Sequence, residues 1–287
     1  MAHKTYDLWL EILKRVTDEV KRDIFKWFTT HLDGSIIDYL EDYIEKIIME
    51  EFQENEYIPL KKKFIEDMLD NADDSTPEWS FNYYIGKWAL RYISLLEKEG
   101  NNKEYIDEFC ANFWDNSDIR RYCINKSIIE KDYAKALKIL DESLKLDEGR
   151  KGLISEYSVQ IKDIYLQQND KVKYIEQLWK LVLDYEAGNI KYYRELKRQY
   201  TEEEWIQERE KIFEELPKYA HVERFYREEK LYDRLLQYTL ESDGWYAIQE
   251  YGSILVKEYP EQMLAKYKFE INKMATHATS RKRYQEI

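Results

Sequence analysis

Glycine and proline are scarce in this chain, at 8 and 4 of 287 residues. A β-sandwich or barrel needs a turn about every 10 residues, and a phosphate-cradling loop needs clustered glycines. Neither can be assembled from so few. The two cysteines, Cys110 and Cys123, form no disulfide framework. The four histidines, His3, His31, His221 and His277, sit at no metal-ligand spacing, and H-E-x-x-H is absent. No uncharged apolar run approaches the ~20 residues that span a bilayer. The opening MAHKTYDLWLEILKRV lacks the apolar core of a secretory signal. Positive charge is also in deficit: 45 Lys and Arg stand against 58 Asp and Glu, a formal net charge of −13. Such a surface repels a phosphate backbone, so nucleic-acid contact would require a local basic patch. These absences lead us to expect a soluble, cytoplasmic, non-enzymatic protein without metal, cofactor or membrane partner.

What is present is apolar (44%), charged (36%) and aromatic (15%), with 26 tyrosines. The aromatic content argues against disorder, and the charge suits solvent-facing helix surfaces. The tyrosines are explained equally by base composition of the genome and by their fitness for helix seams and partner-facing grooves. The organising stretch is Glu130–Asp147, EKDYAKALKILDESLKLD. Asp132 can accept from the free N–H groups of a first helical turn. Tyr133, Ala136, Leu137, Leu140 and Leu144 recur on one helical face, and Ala136 lets a preceding helix approach closely. This is the second helix of a hairpin that cannot bury its apolar face alone.

The same unit recurs. Helix starts are read at Asn102, Asp132, Asp170, Thr201, Leu231 and Pro260, about 30 residues apart with one longer step, near the ~34 of tetratricopeptide repeats. Thr201 to Glu204 reads as a capping box. DYAKALKILDESLKLD resembles the second half of a tetratricopeptide unit, although no copy carries the whole motif. The expected fold is therefore all-α, a right-handed α-α superhelix of degenerate tetratricopeptide-like hairpins. Upstream, residues 5–30 read as one helix, Ser35 as the cap of a second, Glu54–Pro59 as a turn, and Leu60–Leu69 as a short helix. Thr76-Pro77 reads as the start of the aromatic helix that follows. The polar loop NADDSTP (Asn71–Pro77) suggests a boundary, with an N-terminal helical subdomain over 1–75 and a repeat array over 76–287. The array stops within an element at Thr279–Tyr284, as expected of a piece of a longer protein or of a C-terminus that rests on something else.

A family resemblance lies in NIKYYRELKRQYTEEEWIQEREKIF (Asn189–Phe213), FYREEKLYDRLLQYTL (Phe225–Leu240) and the ending EYPEQMLAKYKFEINKMATHATSRKRYQEI. DIFKWFTTHL and DYAKALKILDESLKL fit it too. Together these resemble the helical C-terminal region of bacterial SWIM zinc-finger proteins, over most of residues 20–287. In that family a C-x-C…C-x-H cluster, a proposed DNA- or protein-binding element, lies upstream of the helical region. This chain has no such cluster, so the resemblance implies the scaffold without its finger and carries no zinc ligand onto any residue here.

Two surfaces stand out. Trp79, Phe81, Tyr83, Tyr84, Trp88 and Tyr92 cover more than one face of their helix; Trp79, Tyr83, Tyr84 and Trp88 are candidates for a partner surface, against the plainer reading of a subdomain junction. Lys191, Arg194, Lys197 and Arg198, with Arg281, Lys282 and Arg283, form a candidate basic patch. Tyr192 and Tyr193 could stack on bases there, against the plainer reading of a solvated face balanced by the acidic helix after Thr201. The acidic clusters, including Asp38 to Glu45, read as solvated faces. The function expected is a non-catalytic helical-repeat scaffold for an unknown protein or peptide. The alternative is an auxiliary region of a nucleic-acid-associated zinc-finger protein, positioning partners rather than touching DNA.

Overall fold

The computed structural model describes residues 2–32, 39–72, 75, 77–100 and 103–277, and among them every regular element is helical. The chain forms two compact units, Met1–Leu146 and Asp147–Ile287. The first holds α1 (Ala2–Leu13), α2 (Asp18–His31), α3 (Tyr39–Glu50), α4 (Tyr57–Asp70), α5 (Glu78–Lys98), α6 (Lys103–Asn112), α7 (Ser117–Ile129) and α8 (Tyr133–Leu146). The boundary expected at 75/76 falls inside this unit, where α4 and α5 pack together.

Local chemistry corrects several expected boundaries. The single helix over 5–30 is two, because Thr17 turns extended and its hydroxyl accepts from the Val20 N–H at 3.5 Å. Asp18 and Glu19 then suit the positive start of α2. Helix α4 begins at Tyr57 rather than Leu60. Pro59 is tolerated because the first helical turn needs no N–H partner. Pro77 is the extended residue before α5 rather than its first helical residue. Ser35 and Thr76, expected as caps, lie outside the described residues, as does Asn102.

The organising stretch folds as expected. Asp132 Oδ1 accepts from the Lys135 N–H at 3.0 Å, and Ala136 and Leu140 are fully buried against α7. Ile139 and Ser143 join them, so the buried face is centred one residue further round than the Leu spacing suggests. Ser143 accepts from the Nε of the fully buried Arg120, whose Nη1 donates to the Trp114 carbonyl.

One buried lysine marks the first unit. Lys61 is 2% exposed, and its ammonium donates to the Met49 carbonyl at 2.9 Å, at the negative end of α3. Burial, aided by Lys98, pushes its pKa down to about 8.

The second unit holds α9 (Lys151–Gln167), α10 (Lys171–Lys180), a π-helical turn (Leu181–Tyr185), α11 (Ile190–Lys197), α12 (Glu202–Glu215), a 3-10 turn (Lys218–Ala220), α13 (Glu223–Glu228), α14 (Tyr232–Glu241), α15 (Tyr246–Glu258) and α16 (Pro260–His277). The starts expected at Asp132, Asp170, Thr201, Leu231 and Pro260 all stand, and Thr201 and Glu204 form the capping box.

A repeated turn builds the hairpins. After α7, α9 and α13 the chain spends three residues before the next helix, and the second of these, Lys131, Asn169 or Lys230, is left-handed. In each case the following N–H reaches back into the finished helix: Asp132 to Ser127, Asp170 to Tyr165, Leu231 to Tyr226, at 2.8–3.0 Å. This satisfies carbonyls that a helix end leaves bare. Glycine usually takes that position, and here it is mostly spent elsewhere. Gly188, at φ +83°, lies so close to the 3-10 turn that a Cβ would sit 2.0 Å from the Ala220 oxygen.

Gly188→Ala should therefore destabilise the protein by about 3 kcal/mol, combining left-handed strain and overpacking. Urea unfolding measures it; a loss under ~1 kcal/mol would contradict the close approach. For Lys61, the unfolded chain holds the proton up to the ordinary lysine value while the folded chain releases it near pH 8. Its contribution to stability therefore rises with pH over roughly pH 8–10. Lys61→Met should flatten that rise in a series of urea melts.

Candidate functional site

Helix α11 is short and strongly two-faced. Tyr192, Tyr193 and Leu196 are buried. Tyr193 stacks on Phe225 of α13 at 4.0 Å and meets Trp205 of α12 edge-on at 5.1 Å. The expectation that Tyr192 and Tyr193 are free to stack on bases is thus corrected: their rings are core. Their burial turns the basic residues of the same helix outward, over α13.

There the charges meet carboxylates. Arg194 forks onto Glu228 at 2.7 and 2.5 Å, and Lys197 binds Glu229 at 2.8 Å. The Glu229 side chain is 3% exposed and also accepts from Arg209 (3.2 Å) and the Trp205 indole (3.1 Å). Burial alone would raise its pKa. The bonds from Lys197, Trp205 and Arg209 outweigh that and hold it below the ordinary carboxylate range. The balancing acids are therefore Glu228 and Glu229, not the capping-box glutamates expected to play that part.

Two adjoining open clefts lie over this network, both walled by Arg194 and Glu228. One, of about 590 Å³, is lined by Arg224, Arg227 and Lys230 with Ile190, Tyr246 and Ile254 among its apolar residues. The other, of about 570 Å³, is lined by Lys197, Arg198, Tyr200 and Trp205. Arg227 is held by Glu250 at 2.8 Å. Arg198, Arg224 and Lys230 are exposed, with no carboxylate partner among the described residues. An acidic chain thus carries a concave surface with unspent positive charge beside aromatic and aliphatic walls.

Of the expected basic patch, Lys191 is exposed and lies over the Tyr192 ring at 5.1 Å, Arg194 and Lys197 are paired, and Arg198 is unpaired. Arg281, Lys282 and Arg283 lie outside the described residues. Arg224, Arg227 and Lys230 were not anticipated. Their three-residue spacing was a visible signal, hidden by the interleaved Glu228 and Glu229.

The expected aromatic surface divides. Trp79 and Tyr83 are 76% and 65% exposed, Tyr84 is half-buried with its hydroxyl on the Met68 sulfur, and Trp88 is 2% exposed. Steps of four place Trp79 with Tyr83 and Tyr84 with Trp88, on different faces of α5. Trp88 meets Phe64 edge-on, and Lys87 and Arg91 bracket it while binding Glu45. Glu45, 4% exposed, is no solvated acid either.

Both cysteines are buried, and α6 and α7 bring them together as hydrogen-bond partners; that bond, with burial, pushes the Cys110 thiol up, and the same bond holds Cys123 down against burial. Among the described residues no cluster of three or more His, Cys, Asp or Glu could hold a metal, and no helix is long and apolar enough to cross a membrane. The chain matches no family model, and no curated protein or solved structure is similar to it.

Glu229→Gln would leave Lys197 and Arg209 facing a neutral group, at a cost of about 3 kcal/mol near neutral pH. Because the folded pKa is lowered, the stability this carboxylate gives is present above about pH 4.3 and lost as pH falls through the folded value. The gap between wild type and variant should therefore close in acid; a pH-independent gap would assign the loss to packing instead.

Proposed function

We propose that this chain is a non-catalytic helical-repeat scaffold for protein–protein interaction, built as a right-handed superhelix of degenerate tetratricopeptide-like hairpins. The observation that carries the reading is the open pair of clefts over α11 and α13, which joins uncompensated cations to apolar walls on rigid helices. The thrice-repeated turn supports the repeat architecture. So do ion pairs that join residues about one repeat apart, as in Lys162–Glu195 (2.9 Å), Arg194–Glu228 (2.5 Å) and Lys197–Glu229 (2.8 Å). Stacked hairpins of this kind present long surfaces for extended segments. The resemblance to the helical region of SWIM zinc-finger proteins agrees with a scaffold, and the cytoplasm is the compartment we assign to it.

The test is recovery of partners from source-cell lysate with the purified chain, with and without nuclease, read by mass spectrometry. A discrete protein retained after nuclease is the expected result. Recovery that vanishes with nuclease would overturn it in favour of an auxiliary role in a nucleic-acid-associated protein.

A further inference from the structure

We propose that the paired clefts over α11 and α13 bind an acidic peptide segment, with its carboxylates at Arg224, Lys230 and Arg198 and an apolar side chain against Ile190, Tyr246 and Ile254. This rests on the scaffold reading and names the chemistry of its partner. The argument is one of charge and shape. Six cations line the two clefts: Arg194, Lys197, Arg198, Arg224, Arg227 and Lys230. Arg194, Lys197 and Arg227 are spent on Glu228, Glu229 and Glu250. The remaining three have no carboxylate partner among the described residues, and the one other acid on the cleft walls, Glu202 beside Arg198, leaves the cations in excess. They are not clustered. Arg198 belongs to one cleft, and Arg224 and Lys230 to the other, with the Arg194–Glu228 pair on the wall the clefts share. A ligand that meets all three must be extended and carry separated negative charges.

The apolar walls add a second requirement. Tyr246 is 54% exposed at the rim, and Ile190 and Ile254 lie partly buried. Apolar contact beside a polar, charged rim is how protein interfaces are built. A peptide with acidic residues around one large apolar side chain satisfies both. A nucleic acid satisfies them poorly. Its charge continues past the three cations onto a chain whose net charge is −13, and Tyr192 and Tyr193 are buried and cannot stack on its bases. The peptide places charge only where the cations stand.

The probe is an array of short fluorescent peptides, with glutamates at varied spacings around one leucine or phenylalanine. The same array with glutamine, and an oligothymidylate, serve as comparisons. Binding to the full chain is followed by anisotropy at two salt concentrations. Members of the glutamate array should bind, weaken with salt, and exceed their glutamine counterparts. Arg224→Glu combined with Lys230→Gly should weaken binding by at least about tenfold, and Arg224→Lys should restore most of it. Lys230→Gly removes the charge at a left-handed position that glycine accepts, so the fold is retained. Lys257→Glu with Lys268→Glu, both exposed elsewhere in the second unit, should change little. Failure of every glutamate peptide to bind, binding indifferent to the Arg224 and Lys230 substitutions, or tighter binding of the oligothymidylate would each overturn the proposal.

The two readings fail separately. A nuclease-resistant partner held equally by the wild type and the doubly substituted chain keeps the scaffold and removes this cleft as its site. Acidic peptides bound at the cleft with no such partner keep the cleft and remove the scaffold.

Discussion

A helix with one apolar stripe is unstable alone in water, and in this chain it is closed mainly by the helix next to it in sequence. The tight pairs are neighbours: α7 with α8, α9 with α10, α14 with α15, and α15 with α16. Everything else follows from that constraint. The turns must be short enough to reverse the chain at once, and they must satisfy the carbonyls that end each helix. Three of them do so with a left-handed residue at the same position and the same return hydrogen bond. With glycine so scarce, lysine and asparagine take the strained conformation, and local hydrogen bonding compensates.

Apolar burial fixes which helices meet but is tolerant of sliding. The buried charges restrict the register. Glu229 gathers Lys197, Arg209 and Trp205, and so joins α11 and α12 to the end of α13. Lys162 and Glu195 do the same for α9 and α11, and Glu45, Lys87 and Arg91 for α3 and α5. Such pairs add little net stability over an apolar substitute, yet breaking one is expensive because the partner is left charged in a dry site. Arg198, Arg224 and Lys230 take no part in such pairs among the described residues and stand exposed on the cleft walls.

Much of the helical layout is legible in the sequence. Asp132 and Thr201 are caps in sequence and in structure, and Asp170, read as a helix start, is a cap in the structure, because a cap depends on residues within a single turn. Pro260 begins its helix for the same local reason. The long helix read over 5–30 failed because periodicity continued through Thr17, where capping chemistry prevailed over the stripe. Aromatic content misled at α5, where Trp88 was counted with Trp79; composition pools faces that a four-residue step separates. Half of the basic surface was visible as a run in α11. The other half came from α13, where acidic neighbours mask the spacing of Arg224, Arg227 and Lys230.

The sequence by itself determined the helices, their turns and the all-helical class, because these rest on interactions among residues a few positions apart. Tertiary structure decided which charges survive. Arg194, Lys197 and Arg198 are equivalent when read as a run, and only the approach of Glu228 and Glu229 neutralises the first two and leaves the third free. Ion pairing falls off over a few ångströms, and the partners are more than 30 residues apart in the chain. That separation places the choice beyond local sequence and within reach of the fold.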